Sequence, residues 1–232
     1  MDLAFDVRDP YWAQWKSALE KAVQTVGSSR IKDPVFAKAV SNLLSWDGLY
    51  LRDNTVAPFV RYWRMTAFEV LDPAKINRGE KLTPEEQSAL LIAVSGTVDK
   101  MKALYGETPP AWGDIIKVGR GGKLFPCSGA DYGSGENDKR LRTLLSIGVD
   151  EIEKGKGVFL AEKGSMAMIL MFMHKDGIES YTCIPWGQSG DPKSPHYTDQ
   201  GEQLFSQRKF KTVYRSREEA IKNAVTTEKL SR

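Results

Sequence analysis

Residues 187–200 read Gly-Gln-Ser-Gly-Asp-Pro-Lys-Ser-Pro-His-Tyr-Thr-Asp-Gln, the densest run of chemically capable side chains in the sequence. Ser194, His196 and Asp199 supply the residue types of a hydrolytic triad: a hydroxyl that attacks, an imidazole that takes its proton and a carboxylate that orients the imidazole. Adjacency in sequence does not produce that geometry, because triads gather their members from distant parts of a chain. Ser194 also sits between Lys193 and Pro195, in a run that Pro192 and Pro195 stiffen into an extended form. The expectation is therefore structural. Asp191, Ser194, His196, Asp199 and Gln200 should hydrogen-bond backbone groups and hold an irregular loop in one shape. Tyr197 should pack its ring and keep its hydroxyl wet. No catalytic residue is assigned within the loop.

Other candidate sites are weaker. Gly119-Arg120-Gly121-Gly122-Lys123 could cradle phosphate with backbone amides and two cations. It lacks the Gly-Lys-Ser/Thr ending of a phosphate loop and reads as a turn. Asp47 and Asp53 flank a turn and could ligate a cation, but Asp is favoured at helix ends and capping is the simpler role. Cys127 and Cys183 permit one disulfide without implying it and read as two buried thiols. With His174 and His196 as the only histidines and no Cys-x-x-Cys, no zinc pattern is present. No cofactor is expected.

The elements that must position the loop fall into two halves. Residues 1–108 read as helical. Asp9-Pro10 and Asp33-Pro34 are start signals, with Asp as cap and Pro in the first turn. A third helix is predicted from about Asn54 to Leu71, with Pro58 in its first turn. Thr83-Pro84-Glu85-Glu86 is a capping box that starts a fourth. The aromatic faces of these helices read as core. Pro109-Pro110 breaks the pattern, and residues 109–232 read as strand and loop. Strands are predicted at Asp114–Val118, Gly155–Lys163, Ser165–His174 and Ile178–Pro185, with Lys175-Asp176-Gly177 as a hairpin turn. A polar loop spans Phe125 to Asp138. The run Met166–Met173 is apolar at every position and predicts a strand buried on both faces. Thr198 or Asp199 should cap a short helix through Leu204 and Phe205, and the capping box Ser216-Arg217-Glu218-Glu219 should start a terminal helix through Val225. The class is α+β, a helical N-terminal half followed by an antiparallel β-rich half, the two being parts of one larger domain.

Composition narrows the partners. A net charge of +3 over 232 residues, with both signs mixed along the chain, gives no case for nucleic acid or an anionic membrane. The longest apolar run is too short to span a bilayer. Met1–Arg8 carries Asp2, Asp6 and Arg8 and is not a signal peptide.

At Gly187-Gln188-Ser189-Gly190, Ser194-Pro195-His196-Tyr197 and Asp199-Gln200, the chain resembles the C-terminal segment of the penicillin amidase family, which includes acyl-homoserine-lactone acylases. Leu43-Leu44-Ser45-Trp46-Asp47-Gly48 is similar to that family's Leu-x-x-Trp-Asp-Gly helix end. Trp112-Gly113 with Pro126 and Gly129 is similar to the next segment, and Lys209-Phe210-Lys211 with Ser216–Glu219 to the tail. The resemblance covers about Val7 to Val225. It implies part of the αββα fold of N-terminal-nucleophile hydrolases, enzymes that cut themselves and attack linear amides with a new N-terminal Ser whose own amine is the base. It also implies a periplasmic or extracellular location for the full-length enzyme. Gln188, Ser189, Ser194, His196, Tyr197, Asp199 and Gln200 match a segment that helps hold the sheet layers together.

The chain departs from the family at the reacting centre. There the nucleophile and oxyanion Asn precede the Trp-Asp-Gly region, whereas only about 45 residues precede Trp46, too few for a nucleophile-bearing sheet layer. Gly164-Ser165 imitates a cleavage junction but opens an apolar strand and lacks the accompanying Asn. Two functions follow as expectations. One is a C-terminal acylase portion, inactive alone and dependent on its missing N-terminal part. The other is a non-enzymatic binding or scaffold module derived from it, which self-associates or finds a partner to cover Met166–Met173. A third, phosphate binding through Arg120 and Lys123, rests on the glycine turn alone.

Overall fold

The computed structural model describes residues 2–133 and 139–224, with only the backbone of Asp2. Ser134, Glu136 and Asn137 of the polar loop, and the end of the terminal helix expected through Val225, lie outside the described residues. The chain forms two compact units, Met1–Met166 and Ala167–Arg232. The class is α+β, as the sequence patterns predict.

In the first unit, helices α1 (Trp12–Val26), α2 (Pro34–Ser45), α3 (Ala57–Phe68), α4 (Pro73–Asn77) and α5 (Pro84–Tyr105) form the helical part. Their starts follow the local chemistry. Asp33 accepts from Val35 N, and Thr83 and Glu86 complete the reciprocal capping box. Asn54 Oδ1 accepts from both Val56 N and Ala57 N, which opens α3. Such caps contribute about 1 kcal/mol each. Asp9 serves twice: its Oδ1 accepts from Tyr11 N at the entry to α1, which begins at Trp12, while its Oδ2 meets Arg64. Helix α4, started by Asp72, has too few apolar residues to have been predicted.

The core is aromatic. Trp15, Trp63, Trp112 and Tyr50 are fully buried with Leu19, Leu43, Leu90 and Leu91. Trp15 packs edge-on against Trp63 at 5.4 Å. Buried indoles need acceptors for their N–H groups. Trp12 donates to Trp46 O, Trp15 to Asn77 Oδ1, Trp63 to Leu90 O and Trp112 to Gly129 O.

A six-stranded sheet completes this unit: β1 (Ile116–Arg120), β2 (Lys123–Pro126), β3 (Asp131–Tyr132), β4 (Leu141–Arg142), β5 (Ile147–Glu151) and β6 (Phe159–Gly164), in the order β2-β1-β6-β5-β3-β4. Pairings are antiparallel except β1–β6 and β3–β5, which are parallel. The strand expected from Asp114 starts at Ile116 instead. A helical turn α6 (Trp112–Ile115) precedes it, closed by Ala111 N donating to Asp114 Oδ2. Gly119–Lys123 is the turn that the sequence suggests: Arg120 pairs with Lys123 across a two-residue loop. Gly121 and Gly122 have φ of 58° and 79°, as such a loop requires.

The second unit holds a three-stranded antiparallel sheet, β7 (Met168–His174), β8 (Gly177–Cys183) and β9 (Lys211–Val213), in that order. A π-helical turn Gly201–Phe205 and helix α7 (Arg217–Lys222), capped by Ser216, follow β8 and β9 respectively. Neither Thr198 nor Asp199 caps the turn through a side chain.

Strand β7 corrects the expectation of burial on both faces. Ile169 and Met171 are each 64% exposed and Met173 84%. The register places Met173 opposite Ile178, and Ser180 between Met171 and Val213. Directly paired residues share a face. Ile169, Met171, Met173, Ile178 and Val213 therefore form one exposed apolar surface beside the edge strand. Met168 and Cys183, on the opposite face, are buried. Even the opposite face is covered only in part, since Phe172, which shares it with Met168, is 39% exposed. Apolarity along β7 registers what the strand needs, and the described residues do not supply it.

Candidate functional site

The loop after β8 is closed by backbone hydrogen bonds. Gly187 N donates to Tyr197 O at 2.8 Å, Ser189 N to His196 O at 3.1 Å, and Gly201 N to Trp186 O at 2.9 Å. Inside these closures, short polar side chains bind the next amides along. Ser189 Oγ accepts from Asp191 N, Asp191 Oδ1 from Lys193 N, Ser194 Oγ from His196 N, and Asp199 Oδ1 from Gln200 N. Gln188 Oε1 accepts from Lys211 Nζ on β9. Tyr197 is half-buried, and Thr198 and Gln200 are buried. Two glycines are needed where the chain passes close to itself. A Cβ on Gly187 would lie 1.9 Å from His196 O, and one on Gly201 would lie 2.5 Å from Pro185 O.

Two members of the sequence triad do meet. His196 Nδ1 lies 2.9 Å from Asp199 Oδ2, with the imidazole side chain 71% exposed. Ser194 does not complete the triad: its Oγ accepts from the backbone N–H of His196 rather than meeting the ring. Among the described residues no hydrogen bond joins Ser194 Oγ to the imidazole. An exposed imidazole gains little from its carboxylate. The geometry is that of a loop locked by its own side chains.

The motif residues around Trp46-Asp47-Gly48 and Trp112-Gly113 lie in the first unit and also meet backbone. Gly48 (φ 80°) sits against the Trp12 ring, and its carbonyl accepts from Asp9 N. Asp47 Oδ1 accepts from Leu49 N, so it holds a turn; Asp53 is exposed beside Arg52. Gly113 leaves no room for a Cβ, which would lie 2.6 Å from Pro126 and 2.9 Å from Arg52. Gly129 joins Tyr50 and Trp112, donating to the first through its N–H and accepting from the second through its carbonyl. The motif is thus spent on close packing.

Sequence reasoning missed a buried charge cluster. Arg64 on α3 and Asp9 form an ion pair at 2.6 Å with both side chains fully buried. Asp9 Oδ2 also accepts from Tyr50 Oη at 3.3 Å, and Tyr50 Oη lies 2.6 Å from Tyr132 Oη. Burial, reinforced by its neighbours Tyr132 and Asp9, pushes the Tyr50 phenol well above its ordinary range. Burial, the largest single influence, lowers the Arg64 pKa, but Asp9, Tyr50 and Tyr132 together outweigh it and the pKa is raised. The Arg64 contact is ionic rather than well-aligned hydrogen bonding, and the guanidinium lies 4.8 Å from the Trp15 ring. One turn earlier, Arg61 is held between the Tyr132 and Phe159 rings, and burial lowers its pKa. A lone Arg at helical spacing carries no sign of burial, and Asp9 beside Pro10 looks like a cap; only the fold brings them together. No group of three or more His, Cys, Asp or Glu among the described residues is placed to hold a metal ion. Cys127 and Cys183 are free and buried. Among the described residues no helix is long and apolar enough to cross a membrane.

Residues 1–222 match the family model for penicillin amidase, and the chain belongs to that family. Among solved structures, a thermostable penicillin G acylase from Alcaligenes faecalis is similar at 15% identity with a TM-score of 0.48, over 97% of this chain and 47% of that one. The chain thus spans about half the length of that acylase chain. A search of curated proteins gives no match.

Proposed function

We propose that this chain is the C-terminal portion of a penicillin amidase-type acylase. It would build the structural part of an enzyme that hydrolyses linear amide bonds, such as those of penicillin-like or acyl-homoserine-lactone compounds. Its nucleophile would come from a separate N-terminal portion, in an enzyme of the periplasm or the extracellular space. Family membership supports the reaction class. The observation that carries the division of labour is that, among the described residues, no hydrogen bond joins Ser194 Oγ to the His196 ring, which is held by Asp199. A hydroxyl without an adjacent base is a poor nucleophile. The loop 187–200 then serves as a clasp, through Gln188, Ser189, Ser194, His196, Tyr197, Asp199 and Gln200.

The test is hydrolysis of a chromogenic acyl-anilide. The chain alone should give no turnover, and addition of a nucleophile-bearing penicillin amidase portion should restore it. Turnover by the isolated chain that His196→Ala abolishes would overturn the proposal.

A second reading, a non-enzymatic binding module, is favoured by the exposed face of Ile169, Met171, Met173, Ile178 and Val213. Apolar patches of this kind mark interaction surfaces. Complex formation with the added portion but no turnover, in an assay that a complete acylase passes, would favour this reading.

A further inference from the structure

Arg61 and Arg64 stand one turn apart on α3 and are satisfied differently. Arg64 has Asp9 at 2.6 Å. Arg61 is 8% exposed, yet among the described residues no carboxylate forms an ion pair with it and no acceptor binds its guanidinium. Its Cζ lies 5.0 Å from the centre of the Tyr132 ring and 4.6 Å from that of the Phe159 ring. Ring faces offset only part of the cost of desolvating a lone cation. The phenols around it supply no counter-charge, because burial raises the pKa of Tyr132, Tyr62 and Tyr105 and keeps them neutral.

The open part of this cation has a definite shape. Nε is closed off from solvent and has no acceptor. The two Nη groups, equally without acceptors among the described residues, keep some solvent contact. What faces outward is therefore the end of the guanidinium fork, coplanar N–H donors that match two oxygens of one planar anion. Access is narrow, since Tyr62 and Tyr132 are each only 5% exposed. The surroundings also set the charge. Glu151 pairs in register with Phe159, and directly paired residues share a face. Its exposed carboxylate accepts from Gly157 N at 2.7 Å, and its pKa is held down first by the amides of Gly157 and Gly155 and least by Arg61. A single negative charge at the fork balances Arg61, whereas a second would face Glu151 uncompensated.

We propose that the Nη end of Arg61 binds a small planar monoanion, a carboxylate of a few carbons at most. Its two oxygens accept from Nη1 and Nη2, while the Tyr132 and Phe159 rings shield the pair from water. The site lies within the first unit and does not depend on the acylase reading.

The probe is acetate, titrated into the full chain at neutral pH and constant ionic strength. Calorimetry gives the affinity, and NMR follows the guanidinium resonances of Arg61, assigned by their loss in Arg61→Lys. Three comparators each lack one feature: acetamide has the shape without the charge, sulfate is tetrahedral and divalent, and trimethylacetate is too bulky for the opening. The expected result is a saturable shift of the Arg61 resonances, with each comparator about tenfold or more weaker. Arg61→Lys keeps the charge but loses the fork, and should weaken acetate by about tenfold or more. Glu151→Gln keeps an oxygen for Gly157 N and removes the repulsion, so it should tighten acetate about threefold. If Arg61→Lys does not fold, Glu151→Gln carries the test, since Glu151 is exposed. No saturation by about 10 mM acetate would overturn the proposal. So would sulfate binding as tightly as acetate, which shows attraction to charge without use of the fork, or an unchanged affinity in Glu151→Gln.

Discussion

The Asp9–Arg64 cluster in the first unit and the β7–β9 face in the second are opposite solutions to one difficulty, a group placed where its solvent does not suit it. In the first unit a charge is buried and its environment is built around it: Asp9 at 2.6 Å, then Tyr50 and Tyr132, with the Trp15 ring alongside. In the second, apolar side chains are left in water, with Met173 84% exposed. The difference teaches where each unit's specification resides. The first carries its own partners, and a change there should be felt as lost stability. The second carries a need without its partner, and a change there should be felt in association.

The largest expected effect tests the first half of that contrast. Asp9→Ala strips the partner from a fully buried guanidinium and should destabilise the chain by about 3–5 kcal/mol. Urea unfolding followed by tryptophan fluorescence measures it. Replacing both partners, as Asp9→Leu with Arg64→Met, should recover much of the loss, because no charge is then left unpaired. A loss below about 1 kcal/mol in Asp9→Ala would mean that the cluster is hydrated and the contrast is false.

Gly187→Ala comes next. Its Cβ would meet backbone, the carbonyl of His196, so the loop closure must shift at a cost of about 1–3 kcal/mol. Limited proteolysis should then cut between residues 187 and 200 at a protease dose that leaves the parent chain intact.

Met171→Lys with Ile169→Lys should leave unfolding within about 0.5 kcal/mol of the parent, since these side chains already stand in solvent. The same pair should abolish concentration-dependent sedimentation and binding of a hydrophobic dye. A large loss of stability would place the face in a core. His196→Ala is a smaller change still. An exposed imidazole–carboxylate pair contributes no more than about 1 kcal/mol.

Thiol chemistry gives an independent check on burial in each unit. Desolvation pushes the Cys127 thiol up to about 12, and Cys183 likewise to about 12. Burial disfavours the thiolate, so both cysteines stay almost wholly protonated near pH 8 in the folded chain. Ellman's reagent at pH 8 should therefore find no reactive thiol until denaturant is added. The converse sign holds for stability. Unfolded thiols ionise near pH 8.5, so folding loses stability as pH rises above that value and keeps it below.

Local chemistry made much of this fold legible before any coordinate. Asp33-Pro34, Thr83-Pro84 with Glu86, and Ser216 with Glu219 each state a helix start in three or four residues, because the cap bonds close within one turn. The Gly121-Gly122 hairpin is equally local. What stayed hidden depends on distance. Strands β3 and β4 are two residues each, too short for any alternation to show. Asp9 and Arg64 are 55 positions apart in number, roughly a domain fold away, and nothing near either residue announces the other. In the loop, the residue types of a triad were plain, but the direction of Ser194 Oγ is a backbone matter that composition does not encode. Strand β7 shows the reverse: its apolar pattern points to burial, but burial requires a neighbour.

The composition of that exposed face has a chemical consequence. Met171 and Met173 present thioethers to solvent, and peroxide converts such groups to sulfoxides, which are polar and chiral. Oxidation would turn the most apolar strip of the sheet into a hydrogen-bond acceptor surface without touching the buried Met168 of the same strand. A preparation's oxidative history would then decide whether the strip still adheres to anything, and methionine sulfoxide reductase would restore it. The strand carries, in two side chains, a reversible record of the redox conditions that it has met.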